Sequence, residues 1–441
     1  MGKIGFISIS HEDYINDIVT SQADFAKESV TRIGHEVVAV EGQVTNFDAA
    51  VKGGKYLVSQ DVDGVVIFLG SWVECPIVMA AVRAVEHLPI CIWGFPMCVV
   101  NGKQESTGSY VSFAMFQGVM NRVGYAWTPL LATPCTPEAD KKLDDFCAAA
   151  VCKARLKFSR VGLIGYTSMS IYTGTFDHVF MRAKIGPEID QLDSYTLIQL
   201  AESFTDEERD AVIDEYRKYA RIHEEVNTAA LRKSAGVYLA MKKLVEDRHM
   251  DAINVKCQYE FSKEYKSVPC VPLSLLAEKG CVASCEGDIL NTVSMLILHY
   301  LTGQTIAYGD SMNHHNNVVK FSSCGFLPFS VGVPGEQLIR NFMPHPGFNG
   351  IQSSFVHRPG RVTVIRLVED KCDYHIVYMT DEGLATEKRQ GYMPALDVAL
   401  DGDVNKLISN YAGQHYAICY GDISGKIEEL AAMLHIKTVR I

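Results

Sequence analysis

The segment CEGDILNTVSMLILHYLTGQTIAYGD, residues 285–310, holds an apolar stretch with carboxylates at both ends. Glu286 and Asp288 precede the stretch, and Asp310 follows it. Gly303 stands where the C-terminal cap of a helix is expected. Apolar side chains recur through the middle at helical spacing, at Ile289, Val293, Leu296, Ile297 and Leu301. The pattern predicts one helix between two acidic ends.

Short apolar runs flank this helix, at 281–286 and at 304–310, and both are typical of strands. A right-handed crossover helix would make the two strands parallel neighbours of one sheet. Glu286 and Asp310 would then lie near the carboxyl ends of both strands, on the rim where open α/β sheets bind ligands. Their separation of 24 residues is what one crossover helix and two turns require.

Two carboxylates on one rim repel each other unless one is protonated or a cation neutralises the pair. Hard oxygen ligands suit Mg²⁺ or Mn²⁺, and an added histidine favours Mn²⁺ or another transition ion. A simpler interpretation stays open, in which one carboxylate caps the helix and the other ends a strand at a turn. Asp288 fits that capping role best, because it falls at the first helical turn.

The pattern outside this segment predicts an α/β fold of two doubly wound parallel-sheet domains followed by a β-rich C-terminal domain. Strands alternate with helices in the first two domains, which is typical of parallel sheets. The third has the alternating runs GRVTVIRLVED and CDYHIVYMTDEG, which predict antiparallel pairing, and then a helix and a terminal strand. The predicted domains are 1–155, 156–320 and 321–441.

The prediction of the first two domains is based on apolar runs that are typical of strands and on one capping pattern. The predicted strands are 3–8, 35–40, 62–70 and 88–94 in the first domain and 160–166, 252–258, 281–286 and 304–310 in the second. Thr205 and Glu208 form a capping-box pattern at the start of an acidic helix.

Composition excludes several classes of partner. The net charge of −11 argues against nucleic acid or an anionic membrane surface, and no uncharged apolar run is long enough to span a bilayer. Thirteen cysteines without a C-x-x-C pair, and a first segment without the features of a signal peptide, favour reduced thiols in the cytoplasm. Motifs for nucleotide phosphates are missing as well.

The segment 285–310 resembles the metal-binding core of the L-fucose isomerase family, which shares its architecture with the L-arabinose isomerases. The resemblance extends along the chain through DGVVIFLGSWVECPIV, RVGLIGYTSMSIYTGTFD, VKCQYEF and SSCGFLP. It implies that Glu286, Asp310 and His415, the last in GQHYAICYGD, bind a divalent metal. Mn²⁺ is the expected ion, with Mg²⁺ or Co²⁺ as alternatives.

The resemblance also implies an activity in carbohydrate metabolism, the interconversion of an aldose and its ketose through a cis-enediol. A metal would stabilise the enolate-like charge, while Glu286 and Asp310 would move the protons, in an order that the sequence does not assign. A non-catalytic sugar-binding or regulatory protein on the same fold is the alternative, because the fold alone does not decide the function.

Further substrate contacts follow from the resemblance. Trp72 resembles a tryptophan that packs on the sugar from a neighbouring subunit, with a core or interface role as its alternative. Gln258 resembles a glutamine that hydrogen-bonds sugar hydroxyls, or else it ends a buried strand. The family's arginine near the N-terminus is missing, so His11 and Glu12 are the residues expected to hold the far end of the sugar.

The same resemblance limits the substrate and predicts the assembly. A pentose, a deoxyhexose or a hexose modified at C6, including 6-sulfonated sugars such as sulfoquinovose, is the expected small-molecule substrate. A homo-oligomer, a hexamer or a related form, is expected to share its active sites between subunits. His314 and His315, which follow Asp310 on an expected loop, are predicted to lie outside the metal set.

Overall fold

The computed structural model describes residues 2–371 and 373–441, which fall into two compact units. The N-terminal unit runs to Ala154 and includes Gly425–His435, and the other unit comprises Arg155–Ser424 and Ile436–Ile441. Cys372, with which one predicted strand begins, lies outside the described residues. The boundaries of the three predicted domains stay predictions.

The N-terminal unit is built on a parallel sheet whose three central strands are buried, largely apolar runs. In spatial order, the strands are Glu36–Val44, Lys3–Ile9, Gly64–Leu69, Ile90–Gly94 and Thr128–Leu131. The helices are Asp17–Arg32, Phe47–Ser59, Cys75–Val85, Ser109–Val123, Pro137–Leu156 and Ser424–Leu434, with a short turn at Glu12–Tyr14 and a small hairpin of Cys98–Val100 and Lys103–Glu105. Four of the sheet strands were predicted from their apolar runs.

The second unit begins with another parallel sheet. Its strands, in spatial order, are Val282–Cys285, Ala252–Val255, Arg160–Ile164 and Glu188–Leu192. The helices are His178–Lys184, Ser194–Glu202, Asp206–Tyr219, Thr228–Arg248, Cys270–Glu278 and Ile289–Thr302, with shorter turns at Ser168–Ser170, Tyr172–Gly174 and Glu260–Glu264. The predicted capping box of Thr205 and Glu208 is present.

An antiparallel sheet follows in the second unit and closes on itself like a barrel. Its strands, in spatial order, are Gly360–Asp370, His415–Tyr420, Ala307–His315, Val318–Ser322, Ala395–Ala399 and Asp373–Leu384, and the last of these pairs back onto the first. Lys437–Arg440 adds an outer parallel strand. The chain between these strands forms the turn Phe329–Val331, the helix Val404–Ser409 and a small sheet of Arg221–Ile222, Leu338–Asn341 and Ile351–Ser353.

The helix Ile289–Thr302 lies between the two sheets of the second unit. It packs on Ala252–Val255 and Val282–Cys285 of the parallel sheet and also on Gly360–Asp370 and His415–Tyr420 of the barrel. Burial on both sides explains why so much of this helix is apolar. The predicted caps are confirmed.

One prediction about this segment is wrong. The strand after the helix, Ala307–His315, is an antiparallel member of the barrel rather than a parallel neighbour of Val282–Cys285. A short apolar run has no periodicity that distinguishes the two environments. Glu286 and Asp310 therefore do not share the rim of one sheet; they approach each other from two different sheets.

The fold class is confirmed in outline, as a mixed α/β chain with parallel sheets and a C-terminal antiparallel, barrel-like sheet. The predicted pairing of Gly360–Asp370 with Asp373–Leu384 is also confirmed. The doubly wound arrangement of helices around each parallel sheet stays a prediction. Within the described residues, none of the helices combines the length and the apolar character needed to cross a bilayer.

Candidate active site around His415

Glu286 lies in a tight turn that directly follows the strand Val282–Cys285. Both Glu286 and Gly287 have left-handed backbone, with φ of 70° and 71°. A Cβ on Gly287 would stand 2.4 Å from the carbonyl oxygen of Tyr166, and the Gly287 N–H donates to Oδ1 of buried Asn254 at 2.7 Å. Left-handed backbone at a non-glycine residue costs free energy and is concentrated at functional sites. Here it sets the position of the Glu286 side chain.

Asp310 and His415 are brought together by strand pairing. They stand directly opposite each other on the antiparallel strands Ala307–His315 and His415–Tyr420. Side chains that are directly opposite on neighbouring strands share a face of the sheet. This pairing explains how a histidine 105 residues further along the chain reaches Asp310.

The ring of His415 is fully buried and lies between three carboxylates. Its Nε2 is 3.2 Å from Oε2 of Glu286 and 3.4 Å from Oδ1 of Asp310. Neither contact has the geometry of a hydrogen bond, so Nε2 is a buried nitrogen without a hydrogen-bond partner among the described residues. The other ring nitrogen, Nδ1, is 2.9 Å from Oδ2 of Asp288.

Asp288 has two roles, of which the sequence predicted one. Its Oδ1 accepts from the Asn291 N–H at 3.0 Å, which is the predicted helix cap. Its Oδ2 accepts from Nη1 of Arg366 at 2.9 Å as well as facing His415. Arg366 is itself fully buried and also donates to the carbonyl oxygens of His415 and Thr173. Asp288 therefore fixes the ring of His415 in addition to capping the helix.

One of these contacts, the ion pair of Arg366, could have been suspected from the sequence. Arg366 interrupts the apolar alternation of GRVTVIRLVED, and a buried arginine needs a carboxylate partner. The sequence carries no signal, however, for which carboxylate that partner is. The distance of 78 positions between Asp288 and Arg366 is closed only by the packing of the helix on the barrel.

The charges around His415 shift the pKa values of the cluster. Burial disfavours a charged ring, but the contacts with Asp288 and Glu286 and the charge of Asp310 outweigh it and raise the pKa of His415 well above its usual value. Burial also opposes the ionisation of Glu286, yet His415 and a hydrogen bond from Gln258 leave its pKa lowered. Burial raises the pKa of Asp310 to about 6 against the charge of His415. These carboxylates therefore favour a positive charge on or beside the His415 ring.

A proton or a metal ion could supply that charge, because both bind the same nitrogen lone pair. Within residues 2–371 and 373–441, no group of three or more His, Cys, Asp and Glu side chains has the spacing of a complete metal site. The donors nevertheless suit a divalent ion, since a buried Nε2 without a partner faces two carboxylate oxygens. The bond from Nδ1 to Asp288 is the contact by which proteins commonly orient a metal-binding histidine.

A pocket opens beside the cluster. Glu286, Asp310 and Gln258 line it, together with aromatic side chains that include Tyr308 and Phe348. Gln258 is buried and lines the same pocket as Glu286, so the structure brings this predicted substrate contact to the cluster. Apolar walls with a few convergent polar groups are typical of small-molecule sites.

Trp72, His11 and Glu12 belong to the N-terminal unit. The ring centroids of His11 and Trp72 are 5.7 Å apart, and Tyr14 packs against both rings. Nε2 of His11 lies 3.3 Å from Oε1 of Glu74. His11 and Glu12 follow the strand Lys3–Ile9, and Trp72 follows the strand Gly64–Leu69. All three therefore lie near the carboxyl ends of strands in the parallel sheet. Glu12 is exposed, and no described contact brings its side chain to these rings.

His314 and His315 are exposed at the end of the strand Ala307–His315, not on a loop as expected. Neighbouring residues of a strand point to opposite faces of the sheet. Among the described residues, neither histidine forms a hydrogen bond or an ion pair with Glu286, Asp310 or His415, and their exclusion from the metal set stays a prediction.

Comparisons with known proteins find relatives among the sugar isomerases. Sulfoquinovose isomerase of Priestia aryabhattai is 28% identical over 218 residues, covering 48% of this chain and 49% of that protein. Sulfoquinovose isomerase of Alkalicoccus urumqiensis is 21% identical over 391 residues, 87% of each chain. L-arabinose isomerase of Shouchella clausii is 22% identical over 176 residues, covering 40% of this chain and 36% of that protein.

The chain spans about half the length of the Priestia relative in the alignment, and no family model matches it. Among solved structures, a periplasmic sugar-binding protein of Legionella pneumophila is 11% identical and covers 69% of this chain and 97% of that one, with a TM-score of 0.19. A TM-score that low supports no argument about fold or function.

Proposed function

We propose that the protein is a metal-dependent aldose–ketose isomerase whose active site is the cluster of Glu286, Asp310 and His415. The observation that carries this proposal is the buried Nε2 of His415, which lacks a hydrogen-bond partner and faces two carboxylates while Asp288 holds the other ring nitrogen. A sugar receptor has no need of this arrangement. The similarity to sulfoquinovose isomerases and to an L-arabinose isomerase supports the same conclusion.

Glu286, Asp310 and His415 would hold the ion, for which Mn²⁺ is the first candidate and Mg²⁺ or Co²⁺ the alternatives. When bound, such an ion acts as a Lewis acid that stabilises negative charge developing on the oxygens of the sugar. Asp288 and Arg366 keep the His415 ring oriented, so Nε2 is offered to the ion without rotation of the side chain.

The proton transfers fall to the two carboxylates. One of them takes the proton from C2 of the aldose and returns it to C1, so that a cis-enediol lies between aldose and ketose. The other moves a proton between the two hydroxyl oxygens. Gln258 is placed to hydrogen-bond a sugar hydroxyl, since it lines the pocket beside Glu286. The apolar walls keep bulk water from the reacting carbons.

The class of substrate follows from the relatives and from the earlier resemblance to L-fucose isomerases. A pentose, a deoxyhexose or a hexose changed at C6 is proposed, and sulfoquinovose is the first to test because two of the relatives above bear its name. Trp72 and His11 are proposed to close the site from a neighbouring subunit of a homo-oligomer. A cytoplasmic location is part of the same proposal.

The test is incubation with Mn²⁺ and a panel of aldoses, including C6-modified ones, in D₂O, followed by NMR. We expect conversion of at least one aldose, with deuterium entering at C1 or C2. Glu286→Gln and His415→Ala should each lower kcat at least a hundredfold and reduce the bound Mn²⁺, whereas His314→Ala, which removes an exposed histidine, should change neither. Sugar binding that a chelator leaves intact, with no aldose converted, would identify a sugar-binding protein instead.

A further inference from the structure

Arg389 is a cation beside the candidate active site that the proposed reaction does not use. It lies in the connection between the strands Asp373–Leu384 and Ala395–Ala399 of the barrel. Burial raises the pKa of both Asp310 and Cys324, which line the pocket, and the charge of Arg389 opposes that rise to a smaller extent. Arg389 is half-buried, so its guanidinium keeps access to solvent.

The position of Arg389 is fixed by its neighbours. Its Nε–H donates to Oγ of Ser322 at 2.8 Å, and Ser322 stands directly opposite Asp310 on the next strand. Residues that are directly opposite share a face of the sheet, and neighbouring strands are about 5 Å apart. The anchor of Arg389 is therefore one strand away from Asp310, on the side opposite to His415, and that spacing is comparable to the width of a sugar.

The loop that carries Arg389 is held at several points. Arg389 and Met393 exchange two backbone hydrogen bonds of 3.0 Å. The carbonyl oxygen of Tyr392 accepts from Gln352 at 3.0 Å and from Ser354 at 2.8 Å, and both of these donors are buried. A side chain presented by a loop tied down in this way loses little conformational freedom when it binds a ligand.

The terminal nitrogens of Arg389 form no hydrogen bond or ion pair with the described residues. Among residues 2–371 and 373–441, no carboxylate lies within 4.0 Å of this guanidinium, whereas Arg232, Arg361 and Arg366 of the same unit each pair with an aspartate. Only Nε is used, so the two Nη groups remain available. Their planar fork matches a sulfonate, phosphate or carboxylate with two parallel hydrogen bonds.

An anionic group at the end of the sugar remote from the reacting carbons is stabilised by a cation of its own, apart from the ion that Glu286, Asp310 and His415 would hold. From the fixed, unpaired guanidinium beside Asp310, we infer that Arg389 binds an anionic group of the substrate and selects a sugar that carries a sulfonate or a phosphate at the end remote from its carbonyl. The inference rests on the proposed isomerase function and narrows its substrate to anionic sugars.

The experiment compares three substrates that differ only at C6: glucose, its 6-phosphate, and the 6-deoxy-6-sulfonate, sulfoquinovose. With Mn²⁺ and the full-length protein, at least one anionic sugar should have a kcat/KM ten or more times that of glucose. Arg389→Gln should raise KM for that sugar ten- to a hundredfold, with kcat within about threefold, and leave kcat/KM for glucose within about twofold. The two anionic sugars distinguish a sulfonate site from a phosphate site.

Two further variants make the result specific. Arg389→Lys keeps the charge without the planar fork. Its KM for the anionic sugar should lie between that of the wild type and that of Arg389→Gln. Lys388→Gln removes the neighbouring cation of the same loop and should leave all three substrates unchanged. Equal losses on glucose and on the anionic sugars in Arg389→Gln would mean that Arg389 supports Asp310 instead, and the inference would be overturned.

Failure of the inference and failure of the proposed function give different results. If glucose or another neutral aldose is the best substrate and Arg389→Gln does not alter its KM, the isomerase proposal stands and the anion site is refuted. If no sugar is converted by the wild-type protein with Mn²⁺, the proposed function fails first. Isothermal titration of Mn²⁺ into Arg389→Gln should match the wild type, which shows that the variant retains its site.

Discussion

At the scale of single residues, Asp288 determines what His415 can do. One of its carboxylate oxygens caps the helix Ile289–Thr302, and the other faces both Nδ1 of His415 and the guanidinium of Arg366. With Nδ1–H donated to Asp288, the ring lone pair is left on Nε2, the nitrogen that lies 3.2 Å from Glu286 and 3.4 Å from Asp310. A capping residue thereby becomes part of the candidate active site, which a reading of the helix alone does not reveal.

Asp288→Asn separates these two roles, because asparagine caps a helix as well as aspartate does. The variant should lower the affinity for Mn²⁺ by ten- to a hundredfold, the usual effect of losing such a supporting carboxylate. It should also lower the free energy of unfolding by about 3 to 5 kcal/mol, since buried Arg366 is left without its counter-ion. Isothermal titration and urea denaturation measure the two effects.

Asp403→Asn is the matched control, since Asp403 caps the helix Val404–Ser409 and its side chain accepts from the Asn405 N–H. We expect no change in Mn²⁺ affinity and a change in unfolding free energy within about 0.5 kcal/mol. Wild-type Mn²⁺ affinity in Asp288→Asn would refute the role assigned to Asp288.

At the scale of elements, the turn after the strand Val282–Cys285 determines the position of the Glu286 side chain. Gly287→Ala should be poorly tolerated for two reasons, a φ of 71° and a Cβ only 2.4 Å from the Tyr166 carbonyl oxygen. The left-handed backbone alone costs about 1 to 2 kcal/mol, and the clash must add to this or displace the turn. We expect a loss of at least 3 kcal/mol of unfolding free energy by urea denaturation, together with weaker Mn²⁺ binding.

Gly280→Ala isolates the backbone cost. Gly280 has a φ of 91°, and nothing lies within 4 Å of the Cβ that alanine would add. This variant should lose about 1 to 2 kcal/mol and bind Mn²⁺ normally. Equal losses of stability and equal Mn²⁺ affinity in the two alanine variants would show that contact with Tyr166 does not shape the site.

The same elements show how far sequence reasoning reaches. The helix Ile289–Thr302 and its caps at Asp288 and Gly303 follow from local spacing, and so does the hairpin of Gly360–Asp370 with Asp373–Leu384. The sheet to which Ala307–His315 belongs does not follow, because that choice depends on partners far along the chain. The resemblance identified His415 as a ligand candidate, but only strand register explains its place opposite Asp310.

At the scale of the whole molecule, the two compact units have different reporters of folding. The three tryptophans, Trp72, Trp93 and Trp127, all belong to the N-terminal unit, so tryptophan fluorescence follows that unit alone. The cluster of Glu286, Asp310 and His415 belongs to the other unit, as does His357. Far-ultraviolet circular dichroism reports on the secondary structure of both units, so unfolding of the second unit is the change in that signal that tryptophan fluorescence does not share.

His357 gives the second unit a sensitivity to acid that this method can detect. Burial, with a smaller effect from Arg358, lowers the pKa of His357 to about 3. The unfolded chain binds a proton there near pH 6.5, so stability is retained above that pH and is lost as pH falls from 6.5 towards 3. Between pH 6 and pH 4 this residue should cost about 2 to 3 kcal/mol of unfolding free energy.

His357→Gln should remove that pH-dependent cost, whatever it does to stability at neutral pH, because glutamine does not ionise. Urea denaturation at pH 6 and pH 4, followed by circular dichroism, should show a smaller loss of unfolding free energy in the variant than in the wild type. His314→Gln, at an exposed site, should keep the wild-type difference within about 0.5 kcal/mol. If His357→Gln also keeps the wild-type difference in unfolding free energy between pH 6 and pH 4, acid destabilises the second unit through other groups and not through His357.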